Sequence, residues 1–274
     1  FGTESYVNGV AVHQHYSDSS HTNTSIIYYF PKYLETVVVT NHIAKRAFEN
    51  DYTGDNALEN LKYITIPSTQ TTLGYHMFYN CVGIESITIP SAVTTIEKGV
   101  CEDCKSLEEV LNFENTGITI INEDTFAYCD KLESLDMPST LTTIDREAFY
   151  ECGLKTLIIP DSVTNINSYR TFGWCNSLTS ITVGKAIESV VMNTGFLKPF
   201  EGCENITMLT ITNTATSICA NAFNGLPIKT VSIPNTVLSI GSGAFGGCNK
   251  LSSTTIPSSV ATIGTSAFAG MKHI

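Results

Sequence analysis

One apolar phrase recurs about every 23 residues along this chain, and that period decides what the chain can fold into. The phrase reads Leu-x-x-Ile-x-Ile-Pro, then x-x-Val-x-x-Ile, then x-x-x-Ala-Phe-x-x-Cys-x-x-Leu. Its first apolar anchor falls at Leu34, Leu61, Ile84, Leu107, Leu132, Leu154, Leu178, Ile206, Ile228 and Leu251. A unit this short cannot bury its own apolar face. Such units are stable only when stacked into a solenoid with a continuous core.

Within a unit, the Leu-x-x-Ile-x-Ile stretch alternates and is rich in β-branched residues, as in 61–66 and 154–159, which predicts a half-buried strand. Proline ends it at Pro67, Pro90, Pro138, Pro160, Pro234 and Pro257, because proline has no N–H for a ladder and a fixed φ. A second apolar pair, such as Val163 and Ile166, predicts a short extended segment. The Ala-Phe pair (Ala47-Phe48, Ala148-Phe149, Ala222-Phe223, Ala244-Phe245, Ala267-Phe268) is small then large, which predicts close packing beneath a short helical turn. Three residues later stands a cysteine: Cys81, Cys129, Cys152, Cys175, Cys203 and Cys248. Cys104 joins the column, with Cys101 where the Phe would be, and Leu226 and Met271 fill the slot elsewhere. A slot that accepts Leu, Met or Cys is a core slot.

Neighbouring coils would bring these cysteines about 5 Å apart, within disulfide reach. Their common inward direction and the slot's tolerance of Leu and Met instead predict reduced core thiols, where a serine would carry an unpaired buried hydroxyl.

These units resemble the BspA-like leucine-rich repeats of bacterial and protist surface proteins, over roughly residues 34 to 274. With the segment reading above, the expected fold is an α/β repeat solenoid, strand-rich. It would be a leucine-rich repeat array of about ten repeats with a parallel β-sheet, short extended segments and short helical turns in each coil. The resemblance implies a non-enzymatic adhesion or binding module, extracellular or at the cell surface, for a protein or glycan of a host or neighbouring cell. A structural spacer in a larger surface protein is the alternative, followed by part of a glycan-active enzyme. Departures are local: Thr40, Phe113, Gly184 and Thr212 replace the proline, and Gln70 replaces the first apolar residue of the second pair.

A formal charge of −11 leaves no basic stripe to neutralise phosphates, so neither nucleic acid nor an anionic membrane surface is an expected partner. No run reaches the length of a membrane span, and the longest apolar clusters, such as 26–30, are strand-sized. Residues 1–33 do not follow the repeat. Val7-Asn8-Gly9-Val10 offers an Asn-Gly turn, a hairpin signal, and the segment is expected to be an N-terminal cap or the remnant of a preceding region. The chain opens at Phe1 without a signal peptide, which reads as processing or a cut piece. Ile274 sits at the anchor of a coil whose strand is absent, so the array is expected to continue past it.

No catalytic set, cofactor site or metal site emerges. Gly241-Ser242-Gly243-Ala244-Phe245-Gly246 matches G-x-G-x-x-G, but it is one copy of the repeat and no βαβ unit surrounds it. Cys101 and Cys104 match C-x-x-C, yet both fall on core columns. His13, His15 and His21 with Asp18 could hold a metal, and Asp51, Asp55, Asn56 and Glu59 could hold Ca²⁺; solvated surface is the simpler reading of both.

The outward strand positions, such as Thr65, Ser86, Thr88, Thr156 and Thr210, form a Ser/Thr ladder that reads as solubilising surface. Tyr63, Glu109, Leu111, Ile158 and Met208 break it without making a hot spot. Two features point elsewhere. The step from Val190 to Phe200 is longer than in sister units, and the inserted 191–198 carries Met192, Phe196 and Leu197, which the core does not need. Trp174 and Tyr128 stand two residues after the Phe, where other units carry Gly, Asn or an acid. Trp174, Met192, Phe196, Leu197 and Tyr128 are therefore the candidate ligand-binding residues. The alternative is that the inserted loop folds back on its own coil.

Overall fold

A computed structural model of the chain describes residues 9–16, 24–31, 34–39, 42–50, 58–167, 169–188 and 199–271. From Thr36 onward the strands pair in parallel, coil upon coil. Thr36–Val38, Tyr63–Thr65, Ser86–Thr88 and Glu109–Leu111 form one sheet, and Thr156–Ile159, Ser180–Val183, Met208–Ile211 and Thr230–Ser232 form another. Register aligns the apolar columns: Ile64 with Ile87 and Val110, and Leu157 with Ile181, Leu209 and Val231. The alternation therefore places one face inward throughout. The second apolar pair forms two-residue parallel strands, such as Ile120–Ile121, Thr143–Ile144 and Asn165–Ile166. Between the segments each proline starts a tight turn, its carbonyl accepting the N–H three residues on, as from Val93 to Pro90 and from Val163 to Pro160.

The expectation of short helical turns, and with it the α/β label, is overturned. Among the described residues there is no α-helix, only the 3₁₀ turns Phe113–Asn115 and Lys185–Glu188. The Ala-Phe segment instead has left-handed residues two before and two after the Phe: Glu147 (φ 52°) and Glu151 (φ 51°) flank Phe149, and Gly243 (φ 64°) and Gly247 (φ 72°) flank Phe245. A helix cannot pass through such residues. The N–H groups of those two positions and of the Phe leave the coil and donate to the next one: Glu147 to Tyr169, Phe149 to Thr171, and Glu151 to Gly173. The same three bonds link Asn221, Phe223 and Gly225 to Ser242, Ala244 and Gly246. This side of the solenoid is thus a third hydrogen-bonded ladder, made of turns.

The core is one column per repeat position. Phe126, Phe149 and Phe172 stack at 5.5 and 5.4 Å between centroids, and Phe223, Phe245 and Phe268 at 5.5 and 5.3 Å. Where Cys101 interrupts the stack, Phe126 instead meets Phe113 edge-on at 5.9 Å; Phe113 is the residue that replaced proline. Gln70 is buried because its amide is satisfied, accepting from the Ile43 N–H and donating to the Ile43 and Thr72 carbonyls. All seven column cysteines are buried free thiols. Each reaches a backbone carbonyl of the preceding coil: Cys81 to Phe48, Cys104 to Phe78, Cys175 to Phe149 and Cys248 to Phe223, at 3.0–3.2 Å. A serine hydroxyl there would find an acceptor, contrary to the expectation of an unpaired one. Burial holds Cys81, Cys104 and Cys129 protonated by raising them well above the usual thiol value, and pushes Cys152 up to about 12.

Ahead of the solenoid, Gly9–Tyr16 and Thr24–Pro31 pair antiparallel. Gly9 lies in the first strand opposite Pro31, so the hairpin does not turn at Asn8-Gly9; its connection, 17–23, lies outside the described residues.

Candidate functional site

The turn ladder is where the surface chemistry concentrates. In each unit the residues three and two before the Phe, and one and two after it, lie outside the Phe and Cys columns, while the residue just before the Phe packs inward. That inward slot holds an alanine, as at Ala148, Ala244 and Ala267, a larger apolar residue at Met77 and Val100, or a threonine whose hydroxyl bonds locally, as Thr125 does to the Asn122 carbonyl at 2.7 Å. From 45 to 174 the four outer positions read Lys45, Arg46, Glu49, Asn50; Tyr75, His76, Tyr79, Asn80; Lys98, Gly99, Glu102, Asp103; Glu123, Asp124, Ala127, Tyr128; Arg146, Glu147, Tyr150, Glu151; and Tyr169, Arg170, Gly173, Trp174. From 220 on they read Ala220, Asn221, Asn224, Gly225; Ser242, Gly243, Gly246, Gly247; and Thr265, Ser266, Ala269, Gly270. The second group has no charge and no aromatic ring. It leaves a shallow trough of about 450 Å³, floored by Gly243, Gly246 and Gly247.

The first group is held in place by contacts between coils. His76 lies between the rings of Tyr75 and Tyr79, at 3.9 and 4.6 Å, with Nδ1 3.3 Å from Glu49 and Nε2 3.6 Å from Glu102. Lys98 meets Glu123 at 2.6 Å and Asp124 at 3.2 Å, and Arg146 meets Glu123 at 2.7 Å. Tyr128 and Tyr150 pack edge to face at 5.5 Å. Arg170 pairs with Glu201 at 2.8 Å and lies 6.0 Å over Tyr150 and 5.7 Å over Tyr169. Trp174, 44% exposed, lays its indole against the next coil: a Cβ on Gly202 would sit 2.6 Å from the ring. Carboxylates outnumber the cations that face them, and they repel one another. Glu102 is pushed up to about 7, by burial first and then by Asp124 and Asp103, while Glu147, Asp124 and Asp130 are raised chiefly by burial. Glu123, bound by Arg146 and Lys98, is pushed down. Tyr128 is pushed up to about 12 by burial and by Tyr150.

Of the residues chosen from sequence, Trp174 and Tyr128 are both on this face and both left-handed, at φ 58°. They stand two coils apart in one column, with Glu151 between them. Met192, Phe196 and Leu197 lie outside the described residues, as do Asp18, His21, Asp51, Asp55 and Asn56. His13 and His15 lie in the first strand of the N-terminal hairpin. Among the described residues no group of three or more His, Cys, Asp or Glu could hold a metal ion. The G-x-G-x-x-G match is turn backbone: Gly241 is glycine because a Cβ would sit 2.5 Å from the Ala220 nitrogen of the coil before. Sequence reasoning followed only the column two after the Phe. Reading all four outer columns down the repeat would have exposed Tyr75, Glu102, Glu147, Tyr150 and Tyr169 as well.

Stacked parallel strands with one inward apolar ladder per coil define a leucine-rich-repeat solenoid. The chain belongs to the family described as BspA type leucine rich repeat region, whose model matches residues 28–116, 109–196 and 169–274. Among solved structures it is similar to a leucine-rich repeat protein of Bacteroides ovatus ATCC 8483 (19% identity, 97% of this chain and 92% of that one, TM-score 0.43). It is similar also to a leucine rich cell surface protein of Faecalibacterium prausnitzii A2-165 (20%, 94% and 92%, TM-score 0.41). A third is a leucine-rich repeat protein of Eubacterium ventriosum ATCC 27560 (20%, 88% and 77%, TM-score 0.46). No curated protein matches the chain. No helix among the described residues is long and apolar enough to cross a membrane.

Proposed function

We propose that this solenoid is a non-enzymatic binding module displayed outside the cell, holding a protein or glycan of a host or neighbouring cell on its turn face between residues 98 and 174. One observation carries the reading. At Tyr128 and Trp174 the backbone is left-handed, which costs a side-chain-bearing residue roughly 1 kcal/mol or more, and the equivalent positions at 202, 225, 247 and 270 are all glycine. Bulky aromatic residues are kept where glycine would be the easier choice. The strand face offers less: its Thr and Ser residues alternate with scattered Tyr63, Leu111, Ile158 and Met208, on separate coils.

The test is a panel of immobilised extracellular-matrix proteins and cell-surface glycans, probed with the wild-type chain and with Tyr128→Gly/Trp174→Gly. Glycine suits both backbones, so the variant is expected to fold with an unchanged circular dichroism spectrum. Selective capture that the variant loses is the expected result. Capture that the variant retains in full moves the site off this face, and no capture by either protein removes the binding reading.

A further inference from the structure

We propose that the turn face from Tyr128 to Trp174 takes an extended basic polypeptide segment, with arginine or lysine side chains spaced three residues apart. The inference rests on the binding reading above and names its partner. Rings on this face already hold guanidinium groups of the chain itself: Arg46 lies 5.0 Å over Tyr75, and Arg170 lies over Tyr150 and Tyr169. Cations attracted to a ring's negative face gain most where the ring is partly desolvated. Trp174 is the best such ring and is exposed, yet among the described residues no cation lies over it.

Charge selects the same partner. Glu151 stands between Tyr128 and Trp174 in their column, Glu147 is on the same coil, and Asp130 is exposed beside them. Burial first, then repulsion from Asp124 at Glu147 and from Asp103 and Glu151 at Asp130, raises both carboxyls, and an arriving cation would relieve that repulsion. Arg170, the cation nearest these rings, is already engaged by Glu201.

Geometry sets the spacing. Coils repeat at about 4.8 Å, so Tyr128 and Trp174, two coils apart, are separated by roughly 10 Å along the solenoid. A segment in the extended polyproline-II conformation advances about 3.1 Å per residue with three residues per turn, so three residues cover that distance and return to the same face. Cations at positions i and i+3 would therefore reach both rings, with Glu151 between them.

The probe is a twelve-residue peptide with arginine at every third position and glycine and serine between, compared with the same peptide carrying glutamate or glutamine for arginine. Isothermal titration in low salt should show binding of the arginine peptide alone, weakening as salt rises. Trp174→Gly should weaken it roughly tenfold, and Glu147→Gln/Glu151→Gln by a similar factor. Glu108→Gln/Glu133→Gln removes the same charge from the strand side and should leave binding within twofold. The proposal is overturned if the arginine peptide does not bind, if the glutamate peptide binds as well, or if the strand-side variant weakens binding as much as the turn-face variants. Should the peptide fail while the matrix and glycan panel still captures the chain through Tyr128 and Trp174, the basic partner is wrong and the binding face stands. Failure of both removes the face itself.

Discussion

Residues 123–174 and 242–270 build the same turn on the same side of one solenoid, and the two stretches differ only in what the turn carries. Their backbones agree: left-handed residues flank each Phe, and the Phe N–H crosses to the following coil in both. Their cores agree too, with Phe149 and Phe245 each held between two rings at 5.3–5.5 Å. Outside, one stretch presents carboxylates, tyrosines and a tryptophan, and the other glycine, serine, threonine and alanine. A repeat fold thus separates two selections. The inward columns hold the stack together everywhere, while the outward ones are free to vary from coil to coil.

Point substitutions put this contrast to the test. The largest effect is expected where the stretches should not differ. Phe149→Ala and Phe245→Ala should each cost about 3–5 kcal/mol in urea unfolding, because each empties a fully buried, stacked slot. A large inequality between them would show that the cores are not equivalent. Next comes the thiol column. Cys104→Ala removes both volume and a bond to the Phe78 carbonyl and should cost about 1–3 kcal/mol, whereas Cys104→Ser keeps the donor and should cost less. Serine proving the worse of the two would refute the bonded-thiol reading.

Smaller effects belong to the surface. Gly247→Ala has room, since its Cβ would sit 3.5 Å from the Gly225 Cα, but the φ of 72° should cost about 1 kcal/mol. Glu151→Gly should run the other way, gaining a few tenths to about 1 kcal/mol by thermal melting. Glu102 gives the decorated stretch a pH dependence of its own. Its carboxyl is raised in the fold from 4.5 to about 7, so the unfolded chain ionises first and wild-type stability should fall as pH rises between those values. Glu102→Gln should remove that slope, raising the melting temperature at pH 8 and changing it little at pH 4.5. An equal shift at both pH values would contradict the burial of this carboxylate.

Much of this fold was legible in the sequence, because a solenoid repeats its evidence. The Leu and Ile columns, the prolines at strand ends and the shared Cys, Leu and Met slot all marked the interior. The Ala-Phe segment misled for a physical reason. Small-then-large packing is what a helical turn needs, but the chain meets the same demand with left-handed residues that send the Phe N–H to the next coil. Their signature was present in the glycines at 202, 225, 247 and 270. It was masked further up the chain, where Asp103, Tyr128, Glu151 and Trp174 occupy the same positions. That substitution hid the turn geometry and is also the mark of the candidate site. Trp174 and Tyr128 were found as oddities in one column, while Tyr150 and Glu147 gained meaning only once the coils had been stacked.

Amide hydrogen exchange, with and without a saturating amount of the tightest binder from the matrix and glycan panel, tests the account most directly. Added protection is expected in the turns spanning 124–128, 147–151 and 170–174, with 221–225, 243–247 and 266–270 unchanged. Protection confined to the glycine-bearing turns, or to the strand faces at 156–159 and 180–183, would contradict it.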